Sequence, residues 1–234
     1  MIEMKNWSNL EEAFSLLNKK CRYLVLRNFE NFFDDILVEG HNDIDVLCGS
    51  IRDRKKMIQI LQATPRIGVD NGIHYKFLYK GKEIALDIRT VGDGYYDKKW
   101  QKNMIASRIF NKKGFYTMDD ENYFYSLIYH AIYQKPTLSK DYYMRLNAMK
   151  LEKKEYSQIQ FEESLYDFMK KKKYFYTKTY DFYVITYFNK DLVSERIKYP
   201  IEIHLHHLYE KYRDYFLGKI NGAKVKFIKY VKKS

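Results

Sequence analysis

The chain has 234 residues, of which 46% are hydrophobic and 18% aromatic. So many core-forming side chains exclude an intrinsically disordered protein, and the length suffices for one large domain or two small ones. A formal net charge of +12 favours anionic partners such as nucleotides, nucleic acid or an acidic membrane face, without choosing among them.

Chemistry-bearing residue types narrow the classes further. The two cysteines, Cys21 and Cys48, lie beside or within apolar runs and read as small buried thiols; no CxxC or Cys/His cluster suggests zinc. The first residues, MIEMKNWSNLEEAF, lack the apolar region of a signal peptide, and no apolar run reaches membrane-spanning length. The expectation is a cytoplasmic protein.

Taken in chain order, Ser8 and Glu11 form a capping-box pattern opening a helix, NLEEAFSLLNKK. RYLVL (22–26) reads as a short buried strand, and 27–42 as turn and loop chemistry around a short helix. The strand DIDVLC follows, ending at Gly49-Ser50, and then a helix, RDRKKMIQILQAT, with Met57, Ile58, Ile60 and Leu61 at helical spacing. Residues 74–90 read as a β-hairpin about Lys80-Gly81-Lys82. A helix near 97–110 completes a first unit. Thr117 is a good N-cap for the next helix, which ends before Pro136, with acidic Asp119, Asp120 and Glu121 in its first turn. Further helices fit 141–154, 158–173 and 203–217, and 180–189 suits either a late strand or an aromatic loop. The expected fold class is α+β: a mixed sheet flanked by helices over residues 1–115, followed by a mainly helical domain over 116–234.

The stretch GHNDIDVLC holds the first candidate site. Side chains alternate faces along a strand, so Asp43 and Asp45 point the same way, ~7 Å apart, while Ile44, Val46 and Cys48 face the buried side. Like charges on one face repel unless a cation lies between them, and hard divalent ions take oxygen ligands of this kind. In IALDIR a third carboxylate, Asp87, lies opposite in face to Leu86 and Ile88, and Arg89 shares its face. If the two strands are neighbours, Asp43, Asp45 and Asp87 converge on a patch suited to one or two Mg²⁺ or Mn²⁺ ions and to phosphoryl displacement. A lone DxD is common and by itself reads as ordinary loop or strand chemistry.

The segments YLVLRNFE, GHNDIDVLC and IALDIRT together resemble the core of the polymerase-β-type nucleotidyltransferase superfamily, over roughly residues 20–115. The resemblance implies a metal-dependent transferase that binds a nucleotide donor, with Asp43 and Asp45 as paired metal ligands and Asp87 as the third carboxylate. By position, Asp87 would be the proton acceptor. The chain departs from the family's pattern after the first strand, where Gly-Ser is usual and Arg27-Asn28 stands here. Asn tolerates a left-handed turn and Arg is a bidentate phosphate partner, although both also suit a plain strand-ending turn.

Other residues complete the expectation. His130 and Lys135, on the helix YFYSLIYHAIYQKP, are candidates to line the cleft and meet phosphate, with Lys140 and Arg145 weaker ones. A buried, hydrogen-bonded histidine and a lysine complementing the helix C-terminus are the plainer readings. His204, His206 and His207 are spaced for neither a strand face nor a helix face, which argues against a histidine metal site. The basic C-terminal stretch, with Val225, Phe227, Ile228 and Val231, is a candidate for peripheral contact with an anionic membrane, though solvated lysines on an amphipathic helix are the commoner case. The acceptor expected is a hydroxyl of a small molecule or glycan, by resemblance to members of surface-polysaccharide biosynthesis; a nucleic-acid acceptor is not expected, since no such binding signature is present. Two alternatives stand beside this reading: a nucleic-acid-binding module, and a non-catalytic nucleotidyltransferase-like partner or antitoxin.

Overall fold

The structure, a computed structural model, describes residues 5–29, 36, 43–66, 72–150, 155–179, 184–187 and 190–198. Most of the loop expected over 27–42, the helix at 203–217, the three histidines at 204–207 and the basic C-terminus lie outside them. The protein is α+β, a mixed sheet flanked by helices. No helix among the described residues is long and apolar enough to cross a membrane.

Strand β1 (Asn6–Trp7) leads into α1 (Leu10–Lys20), then β2 (Tyr23–Val25), β3 (Asp43–Cys48) and α2 (Ile51–Leu61). After β4 (Thr64–Pro65) come the hairpin strands β5 (His74–Tyr79) and β6 (Lys82–Thr90). Helix α3 (Lys98–Ala106) is followed by β7 (Ile109–Phe110) and β8 (Tyr116–Thr117). The sheet runs β1-β5-β6-β3-β2-β8-β7, with β4 on β5. β3 and β6 are parallel neighbours, whereas β2 pairs antiparallel with β3 and β5 with β6. The hairpin turns through Lys80 and Gly81, both at positive φ (48° and 74°), which is the two-residue geometry that matches strand twist.

Strand alternation divides the molecule into two cores. Tyr23 and Val25, Ile44, Val46 and Cys48, Tyr75, Phe77 and Tyr79, and Ile84, Leu86 and Ile88 all face one side, against α1 and α2. Leu24, Leu26 and Leu47 face the other, where the later helices pack. Those helices are α4 (Asp120–Ile128), continued by a π-helical segment (Tyr129–Tyr133), then α5 (Lys140–Met149) and α6 (Gln158–Lys172). Their aromatic core centres on Trp100, which stacks on Tyr174 at 5.6 Å and donates from Nε1 to Asn122 at 2.7 Å. β9 (Tyr176–Thr177), α7 (Lys190–Val193) and β10 (Ile197–Lys198) complete the described chain. The break expected at 115/116 falls just before β8, which pairs with β2 through Val25 and Thr117.

Two caps differ from expectation by short distances in sequence. Asn9, not Ser8, caps α1: its Oδ1 accepts from Glu11 N–H at 2.7 Å and Glu12 N–H at 3.4 Å. Thr117 is committed to β8, so Asp119 caps α4, accepting from Asn122 N–H at 2.8 Å and from the Ser107 hydroxyl. Residues 184–187 carry no strand. Burial works to raise the Asp119 pKa, but the hydrogen bonds from Asn122 and Ser107 hold it below the usual carboxylate value. A depressed folded pKa stabilises above the unfolded value and is lost as pH falls through the folded one. Asp119→Ala is therefore expected to cost about 1 kcal/mol in urea denaturation near pH 7. The gap to wild type should close as pH drops below about 4, and a gap that widens in acid would contradict this assignment.

Candidate active site

The site is assembled by register. On β3, Asp45 stands directly opposite Asp87 of β6, and Asp87 stands opposite His74 of β5. The next strand continues the row, because Leu26 N–H donates to the Asp45 carbonyl at 2.9 Å. Since Ile44, Val46, Leu86 and Ile88 take the opposite core, alternation leaves Asp43, Asp45, Asp87 and Arg89 on the face toward the later helices. There they line a cleft of about 350 Å³ with Arg27, Asn28, Arg66 and His74 from the sheet side. Tyr95, His130, Gln134, Lys135 and Tyr142 form its other wall. The volume falls at the small end of ligand pockets.

All eight residues singled out from the sequence, Arg27, Asn28, Asp43, Asp45, Asp87, Arg89, His130 and Lys135, line this one cleft. Lys140 and Arg145 are not among its lining residues, but Arg145 donates to Asn28 Oδ1 at 3.1 Å and to the Tyr123 hydroxyl at 2.9 Å. Asn28 has φ 59°, so it adopts the left-handed turn that a glycine would adopt readily. The turn is further held by Phe29, whose ring lies 4.7 Å from that of Tyr123.

Each carboxylate has a different electrostatic setting. Asp45 is 4% exposed and accepts from Arg27 Nη2 at 2.9 Å. Burial pushes its pKa up, and although Arg27 opposes this, the neighbouring charges of Asp87 and Asp43 add to it. Burial likewise works against the Arg27 charge, but Asp45 holds the guanidinium firmly protonated. Burial also acts to raise Asp87, yet a 2.9 Å contact to His74 Nδ1 and the charge of Arg66 at 3.5 Å keep it below the usual value. Asp43 is exposed to the cleft mouth. His130 is held neutral: burial is the main cause, and the charges of Arg27, Lys135 and Arg89 add to it. It therefore brings hydrogen bonds to the cleft rather than the positive charge expected of it.

Arg27 is not a free phosphate ligand. Its Nη1 donates to the Tyr95 hydroxyl at 3.0 Å while Nη2 holds Asp45. Tyr95 lies over the Arg89 guanidinium, whose Cζ is 4.1 Å from the ring centroid. The turn that carries Tyr95 is itself anchored by buried Asp93, which accepts from Tyr95 N–H at 2.9 Å and Gln101 Nε2 at 2.7 Å.

The donor chemistry of three carboxylates on one face, one of them buried beside like charges, fits a hard divalent ion. Among the described residues, however, no three His, Cys, Asp or Glu side chains are gathered closely enough to hold a metal as they stand. Arg27, Arg66 and His74 supply the compensating contacts instead.

Arg66, His74 and Tyr95 were not among the expected site residues. His74 was within reach of sequence reasoning: a two-residue turn pairs Tyr79 with Lys82, and counting back places His74 opposite Asp87. Arg66 depends on the pairing of β4 with β5, and Tyr95 on the Asp93 turn; neither has a local sequence signature. No protein-family model, curated protein or solved structure matches the chain.

Removing one partner of a buried ion pair leaves the other uncompensated. Arg27→Met is thus expected to destabilise the fold by about 3 kcal/mol or more, with Asp45→Asn partly restoring stability when added to it. A double-mutant cycle by chemical denaturation should give a coupling of at least about 1 kcal/mol, and simple additivity would show that the pair contributes nothing specific.

Proposed function

We propose that the protein is a metal-dependent nucleotidyl- or phospho-group transferase of the polymerase-β-type superfamily, moving a phosphate-containing group from a nucleotide to a hydroxyl of a small molecule or glycan. The observation that carries this reading is the in-register pairing of Asp45 with Asp87 on parallel neighbouring strands, with Asp43 on the same face of the same cleft. Asp43, Asp45 and Asp87 would hold Mg²⁺ or Mn²⁺, which when bound supplies positive charge to the phosphoryl oxygens. The protein's own cations do the rest. Arg89, beside Asp87 on the same strand face, and Lys135, on the opposite wall, offset charge on a bound phosphate, and Arg27 opposes the rise that burial imposes on the Asp45 pKa. Asn28 stands where Gly-Ser is usual in that superfamily, at a φ of 59° that a glycine adopts readily. A pocket of this size suits a small donor and acceptor rather than a polymer.

A second reading, a non-catalytic nucleotidyltransferase-like partner, is favoured by one observation. Asp45 and Asp87 already have protein partners, the first in Arg27 and the second in His74 and Arg66. The nucleic-acid module gains nothing comparable: Tyr96, Tyr129, Tyr133 and Tyr176 are buried in the core, where they present no stacking surface.

Thermal denaturation with nucleoside triphosphates and CDP- or UDP-linked compounds, with and without Mg²⁺ or Mn²⁺, separates the readings. A ligand at one hundred times its dissociation constant stabilises by about 2.7 kcal/mol, a rise of roughly 5–10 °C for a domain this large. That rise is expected only with metal present and is expected to vanish in Asp45→Ala. Absence of any nucleotide response would refute the transferase, and a metal-independent response would favour the non-catalytic partner.

A further inference from the structure

His130 offers the cleft a chemistry that the three carboxylates do not, because its surroundings fix its tautomer. Gln134 Nε2 donates to the Tyr95 backbone carbonyl at 2.8 Å, and a flipped amide would set oxygen against oxygen there. The Gln134 orientation is therefore determined, and its Oε1 lies 3.0 Å from His130 Nδ1. An oxygen at that place accepts, so Nδ1 carries the proton. The Tyr95 hydroxyl oxygen, 3.2 Å from the same nitrogen, already accepts from Arg27 and is a second acceptor for this N–H. A neutral imidazole protonated on Nδ1 has its lone pair on Nε2. The ring lines the cleft, edge-to-face with Tyr142 at 5.6 Å, and Nε2 has no hydrogen-bond partner among the described residues.

Local backbone geometry sharpens the case. His130 lies in the π-helical segment Tyr129–Tyr133, where the widened turn interrupts the regular face of α4. Such segments recur at functional sites because they re-aim one side chain at the expense of helix regularity. Asp87, the proton acceptor expected from the resemblance, is by contrast engaged by His74 and Arg66.

We propose that His130 Nε2 accepts the proton of the attacking hydroxyl, an assignment that rests on the transferase reading above. The acceptor's O–H proton passes to Nε2 as its oxygen forms the new P–O bond. The P–O bond to the leaving group breaks, and pyrophosphate (nucleotidyl transfer from a nucleoside triphosphate) or a nucleoside monophosphate (phospho-group transfer from a CDP-linked donor) departs as an anion beside Arg89 and Lys135. A base of this kind calls for an un-ionised alcohol: a carboxylate acceptor has no proton to give. The charges facing the ring are those of Arg27, Arg89 and Lys135, with the uncharged hydroxyls of Tyr95 and Tyr142. Donor phosphate offsets these cations, removing part of what suppresses imidazolium, so Nε2 becomes a stronger base once the donor is in place.

Two measurements test this on the 234-residue chain. Long-range ¹H–¹⁵N spectra of labelled protein should show His130 neutral and protonated on Nδ1 at pH 7. A proton on Nε2, or a charged ring, overturns the proposal whether or not His130 variants fold. Turnover of nucleoside triphosphates and CDP-linked compounds, with Mg²⁺ and with glycerol as the alcohol, is then compared between wild type and His130→Gln. The expected loss is about 100-fold or more in kcat, with KM little changed. Turnover kept by His130→Gln overturns the proton-acceptor role alone, whereas no turnover of any donor by wild type overturns the transferase reading and this proposal together.

Discussion

Two carboxylates placed opposite each other on adjacent strands repel, and most of what surrounds the cleft answers that repulsion. At a strand spacing of ~5 Å, two full charges oppose each other by about 3 kcal/mol in a medium of effective dielectric near 20. Asp45 and Asp87 occupy such a pair, with Asp43 on the same face. The Arg27 guanidinium on one side and His74 with Arg66 on the other make the arrangement tolerable. The compensation is uneven. Asp87 is held below the usual carboxylate pKa, whereas Asp45, buried and flanked by like charges, is not relieved by Arg27 alone. A protein under selection for stability alone gains little from this constellation, since apolar replacements of buried ion pairs are often neutral or stabilising.

Tyr95 joins the two layers that enclose the site. Its hydroxyl meets Arg27 and His130, its ring covers Arg89, and its carbonyl accepts from Gln134. The sheet's charged row and the helical wall are thereby parts of one hydrogen-bonded assembly. Buried Asp93 holds the turn beneath it through Thr90, Tyr95 and Gln101. The Asp45 carboxylate, the Arg27 guanidinium, the tyrosine hydroxyl and the His130 ring thus form one continuous chain of polar contacts.

Legibility in the sequence followed the physics of each feature. Alternation made Asp43 and Asp45 readable as sharing a face, and the apolar run around Asp87 made it a strand residue; the structure places the two strands side by side. Asn28 was readable as a left-handed turn because few other residues tolerate positive φ, and it has φ 59°. The caps were misplaced by one or two residues because Ser8 and Thr117 have the right chemistry but sit in the wrong backbone: Thr117 is already paired in β8. What no local pattern discloses is partnership at long range. Arg27 looked like a phosphate ligand until Asp45 and Tyr95 were seen to hold it, and His130 looked like a phosphate partner, whereas burial and three neighbouring positive charges hold it neutral against the hydrogen bond from its ring to Gln134.

The proposed function requires the row built by Asp45 and Asp87 to hold a divalent cation. Anomalous diffraction from crystals grown with Mn²⁺ tests it most directly. A Mn²⁺ peak is expected within bonding distance of Asp45 and at least one of Asp43 and Asp87. A cleft without such a peak at saturating Mn²⁺, with Arg27 still on Asp45 and His74 on Asp87, would contradict it.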